Sequence, residues 1–271
     1  MDTTSTRPLA VVTGASKGIG RELAKQFATH DFDVVIAADG PGIVDAAAEL
    51  ERLGAAVEAV QVDLATDAGV DELYARVTAT GRPVGAIALN AGIGEGGAFA
   101  SRDPEKASDL EDELRIIDLN VRSTVRLAKY VSRDMVARGE GRMLFTSSIA
   151  STMPGAFQAV YNASKSFVQS FALALRDELK DAGVTVTALM PGPTDTAFFA
   201  RAEMLATKVG AGPKDDPAEV AAEGFEALME GKQKVVPGSL TTRIQGHSGR
   251  FVPDRVKAAM HRRMAEPGNA R

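Results

Sequence analysis

Tyr161 and Lys165 stand four residues apart, Ser148 lies thirteen residues before the tyrosine, and Asn120 precedes all three. A free phenol has a pKa of about 10, so a tyrosine that exchanges a proton near neutral pH needs a neighbouring cation to favour its phenolate. The segment from Tyr161 to Lys165 runs into an apolar-periodic stretch at 167–179, and the i, i+4 spacing puts phenol and ammonium on one helical face. Ser148 closes a strand-like run at 142–146. There its hydroxyl is placed to donate to a carbonyl oxygen while the tyrosine moves a proton to or from that same oxygen. This is carbonyl and alcohol chemistry. A lone Tyr-x-x-x-Lys pair is also common on solvated helix faces, so its meaning depends on what surrounds it.

The elements that must position this set are visible along the chain. The apolar run 8–13 is a short strand, followed by Gly14-Ala15-Ser16-Lys17-Gly18-Ile19-Gly20 and then the helical pattern Leu23, Ala24, Phe27. Glycines at a strand-to-helix turn let backbone approach a pyrophosphate, whose charge is favoured by the orphan N–H groups and positive end of the helix. Further apolar runs at about 33–38, 56–62, 84–89, 142–146, 184–189 and 234–236 alternate with helical patterns. The alternation predicts an α/β fold, a doubly wound parallel sheet of about seven strands with helices on both faces. In such a sheet a dinucleotide lies at the switch point of strand order.

At 271 residues, 45% hydrophobic and 25% charged, the chain is long enough for one large domain with a full core, and no linker-like segment divides it. The expected organisation is a catalytic domain over 1–236 and a basic C-terminal extension over 237–271. The absence of cysteine excludes disulfides and thiolate metal sites and suits a reducing cytoplasm. His30, His247 and His261 are far apart in the sequence, which predicts no metal site. No signal-peptide core opens the chain, and no run approaches the roughly 20 apolar residues of a membrane span. A cytoplasmic protein with no integral membrane segment and no nucleic-acid partner is expected. From Lys232 onward nine Lys/Arg face two acids, and Val252, Val256, Met260 and Met264 stand at i+4 steps. This predicts a basic amphipathic helix whose apolar stripe packs on its own domain or a neighbouring subunit. Contact with an anionic membrane surface or a hydrophobic substrate is the other reading.

The Gly14-x-x-x-Gly18-x-Gly20 turn, the Ser148/Tyr161/Lys165 set and Asn90-Ala91-Gly92 together resemble the short-chain dehydrogenase/reductase family in its single-domain, Rossmann-type form, over about residues 8–236. The resemblance implies an NAD(P)-dependent oxidoreductase with the catalytic set Asn120, Ser148, Tyr161 and Lys165. In that family the serine orients the substrate and the tyrosine is the general acid/base. The lysine lowers the tyrosine pKa and holds the nicotinamide ribose, and the asparagine positions a water of the proton relay. Cofactor contacts are implied for Gly14, Ser16, Lys17, Gly18, Ile19 and Gly20, for Asp63 and Leu64 near the adenine, and for Asn90, Ala91 and Gly92 near its ribose. Pro191, Gly192, Thr194 and Thr196 are implied around the nicotinamide carboxamide, beside Tyr161 and Lys165. A catalytically silent dinucleotide-binding regulator is the alternative. An epimerase or dehydratase of the extended relatives needs a larger C-terminal domain than follows Gly192. The resemblance also implies a homotetramer or homodimer built through the helices after Asn120 and around Tyr161, so that Leu127, Val131 and Met135 or Phe167, Phe171 and Leu175 are core or interface.

Asp39 stands nineteen residues after Gly20, at the end of the second strand. That is near the spacing of an acid that binds a ribose 2′-hydroxyl and repels a 2′-phosphate, which favours NAD. Lys17, inside the turn, is the kind of residue that NADP-preferring relatives carry. The substrate cleft is expected to be bounded by loops at 93–100, 151–158 and 197–213, with Phe157, Phe198, Phe199, Met204 and Leu205 as an apolar lid. No arginine clamp for a carboxylate is evident, which points to a small apolar ketone, aldehyde or secondary alcohol.

Overall fold

The computed structural model describes residues 7–103, 107–239, 242–243 and 252–270. Seven strands, β1 (Leu9–Thr13), β2 (Asp33–Ala38), β3 (Val57–Gln61), β4 (Val84–Leu89), β5 (Gly141–Thr146), β6 (Val184–Leu189) and β7 (Lys234–Val235), form one sheet in the order β3-β2-β1-β4-β5-β6-β7. Every pairing is parallel. Between them run α1 (Gly18–Thr29), α2 (Gly42–Arg52), α3 (Asp67–Ala79), α4 (Leu110–Ile116), α5 (Thr124–Arg138), α6 (Ala159–Leu179), α7 (Phe198–Arg201), α8 (Lys208–Ala211) and α9 (Pro217–Met229), with α10 (Asp254–Ala265) after β7.

Side chains of a strand alternate between faces, and here both faces are covered, so the central strands read as unbroken apolar runs. In β1, Leu9 and Val11 join the core beneath α3, α5 and α6, where Leu73, Leu127, Val131, Met135 and Val168 are buried. Ala10 and Val12 join the opposite core with Leu23 and Phe27 of α1, Ile43 of α2 and Phe225 of α9. Leu127, Val131 and Met135 are therefore core, whereas Phe167 remains exposed. The strand order reverses between β1 and β4, whose C-terminal ends lead into diverging connections and leave a crevice there.

The C-terminal helix forms, but with a different face packed from the one the i+4 row predicts. Val256 and Met260 are 47% and 54% exposed, while His261 and Ala265 are buried. The buried row also advances in i+4 steps, but it lies one residue, and so about 100°, around the helix from Val256 and Met260. The packed face runs instead through Lys257, His261, Met264 and Ala265. Its anchors are the Lys257 ammonium donating to the Thr152 carbonyl at 3.3 Å and Ala265 against Phe199, Ala202 and Met204. His247 and much of the predicted 237–271 extension lie outside the described residues.

Candidate active site

The crevice begins where β1 turns into α1. Gly14 and Gly18 take left-handed backbone, with φ of 69° and 58°. A Cβ on Gly20 would lie 2.2 Å from the Gly14 carbonyl oxygen and 2.5 Å from Asn90 Nδ2. The first turn of α1 has no side-chain cap and no acidic residue. Its leading N–H groups thus have neither a side-chain acceptor nor a carboxylate that would repel an anion. A turn of this kind fits a pyrophosphate. Gly20→Ala is expected to displace the turn and weaken NADH and NADPH binding by at least about tenfold, read by fluorescence titration alongside circular dichroism. Unchanged affinity in a folded variant would show that the turn does not hold the nucleotide.

Asn90 and Thr13 tie the crevice walls together. The Thr13 hydroxyl oxygen accepts from the backbone N–H groups of Asn90 and Ala91, both at 3.0 Å. Asn90 Nδ2 donates to the Thr13 carbonyl at 3.2 Å, and the Thr146 hydroxyl donates to Asn90 Oδ1 at 3.1 Å. One side chain therefore links the ends of β1, β4 and β5. Gly92 follows in close quarters, since a Cβ there would lie 3.1 Å from both Asn120 Oδ1 and Lys165 Nζ.

Asn120 sits in a π-helical turn, Ile117–Ser123, that joins α4 to α5, a widening often found at functional sites. Its side chain is buried: Oδ1 accepts from the Ile93 N–H at 2.9 Å, and Nδ2 donates to the Ile93 carbonyl at 2.9 Å and to Ser164 Oγ at 3.0 Å. Asn120 thus lies behind the crevice wall and clamps the segment after β4. Ser148, extended at the N-cap of a short 3₁₀ turn, accepts from the Ala150 N–H at 3.1 Å, donates to the Pro191 carbonyl at 3.4 Å, and lies close enough to the Tyr161 phenol to favour its phenolate. Tyr161 and Lys165 project from one face of α6, with the ammonium 5.9 Å from the phenol ring centroid. The ammonium donates to the Thr146 carbonyl at 3.0 Å.

Burial dominates the electrostatics of this pair. It pushes the Tyr161 phenol up to about 12, against the opposing pull of the Ser148 hydroxyl, and it pushes the Lys165 ammonium down to about 8. In the free protein the phenol therefore stays above its ordinary value despite the nearby ammonium. In this arrangement the ammonium is aimed at a strand carbonyl, and desolvation of the phenolate outweighs its proximity.

Residues 8–204 match the short chain dehydrogenase family. The chain belongs to that family. An NADP-dependent 3-hydroxy acid dehydrogenase of Salmonella typhi is 31% identical over 184 residues, covering 68% of this chain and 71% of that protein. A short-chain dehydrogenase from Sphingobium yanoikuyae, solved in complex with NADPH, superposes with a TM-score of 0.78 at 28% identity, covering 90% of this chain and 93% of that one. A 3-ketoacyl-(acyl-carrier-protein) reductase from Brucella melitensis, complexed with NADH, gives 0.73 at 26% identity, with 84% and 96% covered. The protein is an NAD(P)-dependent oxidoreductase acting on CH–OH and C=O groups.

In this short-chain dehydrogenase every residue anticipated for cofactor contact, from Gly14 through Asp39, Asp63 and Asn90 to Thr196, lines one continuous cleft together with Ser148, Tyr161 and Lys165. The Asp63 carboxylate is already engaged, accepting from the Ala65 N–H at 2.9 Å and pairing with Arg115 at 3.0 Å. At the Tyr161 end the lid departs from expectation. Phe198 and Phe199 line the cleft, with the Phe198 ring 5.2 Å from that of Tyr161. Past the end of α7, Met204 is buried against Phe198 and Phe199, and Leu205 is 60% exposed. Arg201 does line the cleft, so an arginine is available there after all. Met153, Gln158, His261 and Met264 also line it, and no local pattern signals them, because they meet Tyr161 only through folding. Among the described residues no cluster able to hold a metal ion occurs, and no helix is long and apolar enough to cross a membrane.

Proposed function

We propose that Tyr161 is the general acid/base of this oxidoreductase, with Ser148 directing the substrate oxygen, Lys165 biasing the phenol and Asn120 holding the adjoining wall. The supporting observation is that Ser148, Tyr161 and Lys165 line one end of the same cleft whose other end is the glycine turn. A nicotinamide held beside Tyr161 and Lys165 would supply the hydride or accept it. Tyr161 is a neutral phenol well below pH 12 in the free protein, ready to donate a proton to a substrate oxygen in the reductive direction. The Ser148 hydroxyl donates to that same oxygen as negative charge develops on it. Met153, Phe198, Phe199 and Met264 supply an apolar wall for a small carbonyl compound or alcohol. No observation favours a catalytically silent regulator.

NAD is the favoured dinucleotide. Asp39 lines the cleft at the end of β2, where a carboxylate accepts from a ribose 2′-hydroxyl and repels a 2′-phosphate, and Lys17 is the opposing influence. Separate fluorescence titrations with NADH and NADPH test the nucleotide site, and binding of neither would undermine it. Asp39→Ala is expected to shift the affinity ratio about tenfold toward NADPH. An unchanged ratio would show that Asp39 does not read the ribose. Exposed Leu114, Ile117 and Phe167 support a homodimer or homotetramer through the α4 and α6 region, and the absence of cysteine supports a cytoplasmic location.

A further inference from the structure

We propose that His261, delivered to the substrate end of the cleft by α10, is a specificity residue whose Nε2 accepts a hydrogen bond from the substrate. The substrate is then an otherwise apolar carbonyl compound or alcohol that carries a hydroxyl or N–H donor away from its reacting carbon. This rests on the assignment of Tyr161 as the reacting end.

Three observations carry it. First, His261 lines the same cleft as Tyr161 although it lies far outside the 8–204 family match. Its place is held by the Lys257–Thr152 contact one turn earlier, by Ala265 packed on Phe199 and Met204 one turn later, and by Asn269 Oδ1 accepting from the Lys208 N–H at 2.9 Å. Second, the orientation of its protons follows from its one hydrogen bond. Nδ1 lies 2.9 Å from the Ala156 carbonyl oxygen, which only accepts, so Nδ1 carries the proton. Burial holds the ring below its ordinary pKa, and the ring is neutral with a bare lone pair on Nε2. Among the described residues Nε2 has no hydrogen-bond partner. Third, the neighbouring lining is Met153, Phe198, Phe199, Val209 and Met264. Gln158 and Arg201 also line the cleft, and a buried acceptor in a largely apolar wall discriminates strongly, because a substrate lacking the donor leaves it unpaired.

Two variants separate recognition from support. In His261→Asn the side-chain N–H₂ can still donate to the Ala156 carbonyl, but no atom reaches the position of Nε2. In His261→Gln the amide oxygen extends to about that position. The probes are matched ketones differing by one hydroxyl: acetophenone, benzylacetone and cyclohexanone, each beside its hydroxylated derivative. For at least one pair, wild-type protein is expected to favour the hydroxylated member. His261→Asn is expected to lower that preference, as a ratio of kcat/KM values, by about tenfold, with the loss falling on KM. His261→Gln should recover part of it, and melting temperatures would show both variants folded. A ratio unchanged in His261→Asn, or no preference in any pair reduced by wild type, overturns the role of His261 while leaving the oxidoreductase assignment intact. Wild-type protein that reduces no ketone of any pair overturns the assignment of the reacting end and His261 with it.

Discussion

Tyr161→Phe is expected to lower turnover by about 10²–10⁴-fold, the usual contribution of a positioned acid or base, while dinucleotide affinity stays within about twofold. The substitution removes one oxygen and keeps the ring, so the contact with Phe198 at 5.2 Å and the seat of α6 persist. What is lost is the only phenol that lines the cleft, hence the proton delivered to the substrate oxygen. A loss confined to kcat, with the nucleotide titration unchanged, is the signature of an interaction made in the transition state. The wild-type phenol, pushed up to about 12 in the free protein, also sets a direction with pH. Carbonyl reduction needs the protonated phenol and should hold across neutral pH, whereas alcohol oxidation needs the phenolate and should rise as pH increases. Steady-state rates in both directions check this, and undiminished turnover by the phenylalanine variant would remove Tyr161 from the chemistry.

Lys165→Met is expected to move turnover and stability in opposite directions. Turnover should fall at least about 100-fold, because no cation then stands beside the phenol. Stability of the cofactor-free protein should rise at pH 7, because a buried ammonium is replaced by an apolar side chain of similar length. Burial lowers the folded pKa of Lys165 from 10.5 to about 8. Between those values the unfolded chain binds the proton and the folded chain does not, so this group makes stability rise with pH across that window. Below pH 8 its destabilisation is complete, at most about 3.5 kcal/mol given 1.4 kcal/mol per pKa unit over the fall from 10.5 to about 8. Loss of the Thr146 hydrogen bond offsets about 1 kcal/mol of the gain. A rise in melting temperature of about 5 °C at pH 7, shrinking by pH 10, is the expected result. A variant destabilised equally at both pH values would show that the ammonium is not held at a cost.

The strands were legible to within a residue or two, since both-face burial makes most of β1, β2 and β4 continuous apolar runs with no competing period. The helix carrying Tyr161 and Lys165 was equally plain, and so was the glycine turn, because a strand entering a helix within five residues restricts which side chains fit. The C-terminal helix was legible as a helix but not in its orientation. Its i+4 apolar row is a property of the sequence alone, whereas the packed face through Lys257, His261 and Ala265 depends on loops more than fifty residues away in the chain.

By itself, then, the sequence determined the sheet, the doubly wound topology and the set of groups able to handle a nucleotide and a substrate oxygen. These follow from local spacing, side-chain period and backbone freedom, which neighbouring residues decide. Only the tertiary structure decided that Asn120 is turned inward on Ile93, that Lys165 addresses the Thr146 carbonyl, and that His261 lines the cleft. Each of these depends on desolvation and on hydrogen-bond partners distant in sequence, quantities that exist only once the chain has enclosed them.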